Sequence, residues 1–240
     1  MILQPNKRIP PDPMRFIAPL LFGLIGCAIL ISLGTWQVQR LAWKEGILAE
    51  IEARIDGAPE PLPTVIAPSD QRYQPVALSG TIDEGEVHVL VSTKAQGAGY
   101  RIIAPFTTDD GRTILLDRGY VPNEAKRQER RTGKTTITGN LHWPDDRTSS
   151  TPENDRDANI WFARDIGAMA DALQTEPLLV IAKGETPPAP TIQPLPVSIT
   201  GIPNDHLQYA ITWFSLAAIW AGMTVFYIAR TRKTAKGSAT

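Results

Sequence analysis

Two stretches of this sequence carry no charged residue, 19 positions at 16–34 and 23 positions at 207–229. About 20 residues of helix cross the hydrocarbon core of a bilayer, so each stretch is long enough to span one. A soluble helix buried on every side has the same composition. Two such runs, one near each end and each with basic residues beside it, are the pattern of membrane spans. Lys7, Arg8 and Arg15 precede the first run, and Arg230, Arg232, Lys233 and Lys236 follow the second. Positive charge stays inside, so both tails (1–15 and 230–240) are expected in the cytoplasm. Long connecting segments cross whatever their charge, which puts the segment between the spans outside. The proline-rich start of the chain is not amphipathic, unlike an organelle transit peptide, and a bacterial cytoplasmic (inner) membrane is the expected address.

A basic start followed by an apolar run also begins a secretory signal. Ser32-Leu33-Gly34 offers small residues at a cleavage spacing, but the run is longer than the roughly 7–15 residues of a signal core. Leu24-Ile25-Gly26-Cys27 resembles a lipoprotein processing box, yet the chain stays apolar beyond it. The expectation is therefore an uncleaved two-pass protein. Cys27 is the single cysteine and lies inside a span, so the external segment has to fold without an internal disulfide or thiolate metal site. The net charge is −1 and no basic stripe with interleaved aromatics occurs, which argues against nucleic acid.

After the first run, residues 35–56 contain no proline and set Trp36, Arg40, Trp43 or Lys44, Ile47, Ile51 and Ile55 at helical spacing. The span is expected to continue as an interfacial helix, with Trp36 and Trp43 at headgroup depth. Pro59, Pro61, Pro63 and Pro68 then read as a linker. Short β-type runs follow at 76–82, 87–92, 100–106 and 113–116, with further strands at 137–141 and 178–182. Asp83-Glu84-Gly85 and Asp109-Asp110-Gly111 are hairpin signals. Residues 123–131 form a charged helix or extended turn, and 160–173 alternate apolar and polar residues as a helix does. Six prolines between Thr186 and Pro203 make an extended strap. The expected fold is two transmembrane α-helices plus one external α+β domain with a mainly antiparallel, partly closed sheet. That domain occupies 57–206, strap included, and faces the periplasm.

Five motifs follow one another in order along the chain. Gly34-Thr35-Trp36-Gln37-Val38-Gln39-Arg40-Leu41-Ala42-Trp43-Lys44 leaves the first span. Tyr73-Gln74-Pro75-Val76 with Gly80, Gly99-Tyr100-Arg101-Ile102, and Asp117-Arg118-Gly119-Tyr120-Val121-Pro122 mark the sheet. Asn204-Asp205-His206-Leu207-Gln208-Tyr209-Ala210-Ile211-Thr212-Trp213-Phe214 enters the second span. In combination these resemble the surfeit locus one (Shy one) family of membrane assembly factors for haem-copper cytochrome oxidase. The resemblance covers residues 16–230. It implies a chaperone role in maturing oxidase subunit I during respiratory chain biogenesis and, for bacterial members, binding of haem a and its transfer to the apo-subunit. Implied partners are subunit I, other oxidase assembly or haem a synthesis proteins, and membrane lipid.

Imidazole is a common ligand of haem iron, and His206 is the histidine that adjoins a span. With the resemblance, His206 is the expected axial ligand of the iron. Its ordinary alternative is an interfacial histidine that caps the span or pairs with Asp205. His88 and His142 read as plain domain residues. A macrocycle needs an apolar slot with aromatic walls, and Tyr209, Trp213 and Phe214 lie close to the helical face of His206. Arg40, one turn beyond Trp36, is placed for the propionates, with lipid phosphate as its alternative partner. Trp36 joins this set, with headgroup anchoring as its ordinary role.

Two other functions compete. A cofactor-free membrane scaffold would hold an oxidase assembly intermediate by its helices and external domain alone. A membrane-anchored hydrolase would use carboxylates such as Asp117 and Asp165. The sequence contains no Gly-x-Ser-x-Gly elbow, His-Glu-x-x-His motif or phosphate loop, so the chain is not expected to be an enzyme. The Asp117-Arg118-Gly119 run reads as a structural strand end.

Overall fold

The computed structural model describes residues 14–237, with side chains over 17–233. Lys7 and Arg8, which bear on the orientation of the tail 1–15, lie outside the described residues. The chain divides into a helical unit, described over residues 14–48 and 202–237, and a sheet unit, Ala49–Gly201.

In the helical unit, α1 (Met14–Ile55) runs unbroken past the apolar stretch, and its last turns belong to the sheet unit. The last helix, α4, is His206–Gly237. Both display their apolar side chains: Phe22, Val225 and Phe226 are each 67% exposed. A core helix of a soluble protein would bury them, whereas these helices are apolar on nearly every face and long enough to cross a bilayer. The chain is a membrane protein.

The protected positions of each helix form one narrow stripe. In α1 it runs through Gly23, Cys27, Leu30, Gly34, Gln37, Leu41 and Lys44, and in α4 through His206, Ala210, Trp213, Ala217, Trp220 and Thr224. Alternating steps of three and four give the 3.5-residue repeat of a supercoiled helix pair. The pairing is antiparallel. Trp220 Nε1 donates to Gly23 O at 3.1 Å, Cys27 Sγ lies 3.9 Å from Ala217 O, and Lys44 Nζ reaches Pro203 O. Glycine permits the approach: a Cβ at Gly26 would stand 2.3 Å from Trp220 Nε1, and one at Gly34 would stand 2.8 Å from the Phe214 ring. Gly222 faces open space, so the seam uses only some of the small residues available.

The sheet unit is built on a closed five-stranded barrel. Its strands are β1 (Pro75–Ile82), β3 (Gly97–Thr108), β4 (Thr113–Pro122), β5 (Gly133–His142) and β6 (Leu179–Thr186); β2 (Val87–Thr93) adds to β3 outside the ring. Neighbours run β1-β5-β6-β4-β3, and β3 returns to β1. All pairs are antiparallel except β4 with β6. Alternation sends one face of each strand inward, and Val76, Leu78, Phe106, Ile114, Leu116, Ile137, Leu141 and Val180 fill the barrel. Outside it, α2 is the one-turn Pro68–Gln71, and α3 (Ile166–Leu173) packs Met169 and Ala170 with Trp161, Val89 and Ile181.

Asp109-Asp110-Gly111 forms the expected β3–β4 hairpin, with Gly111 at φ +90° and Thr108 N–H donating to Arg112 O. Asp83-Glu84-Gly85 does not form one. β3 has 12 residues, long enough for the end of β1 to pair with its second half and β2 with its first, so 83–86 is a corner between two strands lying on the same neighbour. The helix expected over 160–173 begins only at Ile166, because the Asp165 side chain caps it by accepting from Ala168 N–H at 3.1 Å. Residues 160–161 instead run beside β2, where Trp161 N–H donates to His88 O. Over 123–131 only Asn123–Ala125 is helical, as one 3-10 turn. The proline stretch read as a linker docks on the sheet: Glu60 bridges Val76, Leu62 and Ile66 cover the core, and Arg112 donates to Pro63 O. The strap docks too, pairing Gln193 with Tyr120.

Candidate functional site

The span-exit motif and the span-entry motif meet in the helical unit at one hydrogen bond. His206 Nδ1 lies 2.8 Å from Gln37 Oε1, on the seam between α1 and α4. Gln37 is 8% exposed, a buried amide in a stripe that is otherwise apolar from Gly23 to Leu41. An amide oxygen only accepts, so this contact puts a proton on Nδ1 and leaves the lone pair on Nε2. Among the described residues Nε2 makes no hydrogen bond. Two turns outward along α1, Lys44 holds the carbonyl of Pro203, and Asn204 Oδ1 is buried without a partner among the described residues.

The other predicted residues divide by helical phase. Phe22 and Trp220 pack on one flank of the seam, rings tilted by 52° with centroids 5.2 Å apart. At about 100° per residue, Trp36 and Arg40 fall on the flank of Phe22, and Tyr209 and Trp213 on that of Trp220. Phe214 does not join them. It lies about 120° round α4 from Trp220 and covers Gly34 on the opposite flank. At about 100° per residue it stands about 80° round α4 from His206, with Tyr209 about 60° to the other side. Trp36 and Tyr209 are each 55% exposed, as side chains at a lipid boundary would be, and the Arg40 guanidinium stacks over Trp43 at 3.8 Å. The site thus comprises a histidine with one oriented and one open nitrogen, three aromatic rings on one flank, and a cation on the same flank.

Gln37 was not among the predicted site residues. Its signal was visible as an uncharged polar side chain seven residues before Lys44 and three after Gly34, on the small-residue stripe of α1.

The remaining candidates have structural partners. His88 Nε2 lies 2.6 Å from Glu86, which Arg130 also binds. His142 stacks on Tyr73 at 5.4 Å, and burial with Arg164 and Arg72 nearby lowers its pKa to about 4. Asp117 and Arg118 point to opposite faces of β4 and do not pair with each other. Asp117 receives Arg101 at 2.6 Å, while Arg118 reaches Glu185 at 2.9 Å. Asp165 caps α3 and meets Arg147 at 3.3 Å. The two carboxylates considered for hydrolysis are thus each committed to the fold. A cavity of about 830 Å³ opens between 83–88, 126–132 and 157–160, where the pairs Arg118–Glu185 and Arg130–Glu86 balance their own charges.

Residues 24–218 match the SURF1 family. Surfeit locus protein 1 of Xenopus tropicalis is 35% identical over 211 residues, covering 78% of this chain and 68% of its own length. The Homo sapiens protein of that name is 33% identical over 213 residues, covering 78% and 70%. A SURF1-like protein of Rickettsia felis is 32% identical over 216 residues, covering 85% and 94%.

Proposed function

Because the chain belongs to the SURF1 family, we propose that it is an assembly factor for haem-copper cytochrome oxidase, binding haem a as cargo and assisting its insertion into subunit I. It works without catalysis, in the bacterial cytoplasmic membrane, with both tails inside and the sheet unit in the periplasm. The basic residues beside each span support that orientation. Subunit I and other oxidase assembly or haem a synthesis proteins are its partners.

The observation that carries the cargo reading is the His206–Gln37 contact, which engages one imidazole nitrogen and leaves the other without a hydrogen bond among the described residues. Trp36, Tyr209 and Trp213 supply ring surface for a macrocycle, and Arg40 supplies a cation for its propionates. Phe214, over Gly34 one turn from Gln37, supplies a further ring from the other side of the seam.

The test is to purify the chain from cells that make haem a and record its absorption spectrum, then repeat with His206→Ala. Haem in the parent and its loss in the variant is the expected result. Equal haem in both removes His206 from the mechanism. No haem in either favours the cofactor-free scaffold.

A further inference from the structure

We infer that Gln37 is the positioning residue for His206, holding its proton on Nδ1 so that Nε2 stays unprotonated and open to a metal. The inference rests on the reading of His206 as the iron ligand for its purpose, but its first half concerns the chain alone.

A polar amide on the packed stripe of a membrane helix is costly unless satisfied, and the Gln37 amide oxygen meets His206 Nδ1 at 2.8 Å. The stripe also holds it still. Gly34 is covered by Phe214 one turn to one side, and Lys44 is fastened to Pro203 O two turns to the other. His206 is the first residue of α4, where the imidazole has no turn before it to rest on, so its orientation has to come from the facing helix. A neutral acceptor on the far nitrogen is the usual way a protein sets the tautomer and direction of a metal-binding histidine. An amide achieves this without placing a negative charge in the seam, as a carboxylate would.

The test uses the full chain in detergent micelles, labelled with 15N-histidine. His88→Gln and His142→Phe spectra identify the three imidazoles. Without haem, His206 is expected to be protonated at Nδ1 in the parent and to lose that preference in Gln37→Leu. A parent protonated at Nε2 overturns the inference. Titration with haem a then gives a second readout. Gln37→Leu should bind about 10- to 100-fold more weakly. Gln37→Glu, which keeps an acceptor and adds charge, should bind near the parent level with a lower midpoint potential. Parent-like affinity and potential in both variants overturn the role of Gln37, while haem retained by His206→Ala overturns the reading of His206 and leaves the tautomer result standing.

Discussion

Replacing Arg101 by leucine should strip a sealed carboxylate of its main partner. Asp117 is 0% exposed, and Arg101 Nη1 donates to its Oδ2 at 2.6 Å. Gly119 N–H donates to the other oxygen at 3.1 Å. Burial holds the Asp117 carboxyl above its ordinary 3.8 even in the parent, and Arg101 is the largest influence pulling it back. Without Arg101, the carboxyl takes up a proton. Holding a proton at pH 7 on a group whose ordinary value is 3.8 costs about 4 kcal/mol at about 1.4 kcal/mol per pH unit. Lost hydrogen bonds, including that from Arg101 to Leu195 O, add about 1 kcal/mol. The expected loss of about 3–5 kcal/mol matches the cost of breaking a buried pair by removing one member. Its pH dependence follows from proton counting. The folded variant holds a proton that the unfolded chain has released above 3.8, so its stability falls as pH rises. The parent carboxyl is raised too, so the variant differs by a steeper slope, and its deficit should shrink as pH falls from 7 toward 5. Urea unfolding of the full chain in detergent, followed by the circular dichroism of the sheet, measures both quantities. Adding Asp117→Asn should recover most of the loss. A deficit under about 1 kcal/mol, or one that grows as pH falls, refutes the assignment of an ion pair sealed from water.

Gly119 has φ +123°, and a Cβ there would stand 2.2 Å from Gln193 O, so Gly119→Ala should release the strap and cost about 3 kcal/mol, read by the same unfolding assay. His142 is held near pKa 4 by burial and by Arg164 and Arg72, against an ordinary 6.5. The unfolded chain therefore binds the extra proton between those values, and stability should fall as pH drops from 6.5 to 4; His142→Phe should remove that slope. Gly26→Val drives a side chain into Trp220, and should lower the stability of the helix pair in detergent by about 1–3 kcal/mol, read as earlier thermal loss of the haem-independent tryptophan signal.

The strands were legible because alternation is local: β1 reads as Pro-Val-Ala-Leu-Ser-Gly-Thr-Ile with its inward residues at every second position. Their partners were not. Asp83-Glu84-Gly85 carries the chemistry of a turn, and whether a turn becomes a hairpin depends on how far β3 extends, which is a property of the whole barrel. Asp117 and Arg118 read together as one structural run, but adjacency in a strand sends them to opposite faces, where each has its own partner. The proline stretch at 59–68 was read as a linker for its backbone chemistry alone. Its Leu62 and Ile66 make it part of the core covering.

The two apolar runs, the basic flanks, the ordered motifs and His206 beside a span were settled by the chain itself, since length, charge and residue type need no partner to be read. Which residues share the seam was decided by tertiary structure. Helix phase put Gln37 against His206 and sent Phe214 to the other flank. That choice depends on where two helices 169 residues apart in sequence make contact, and glycines at 23, 26 and 34 fix the place by admitting Thr224, Trp220 and Phe214 where any side chain would exclude them.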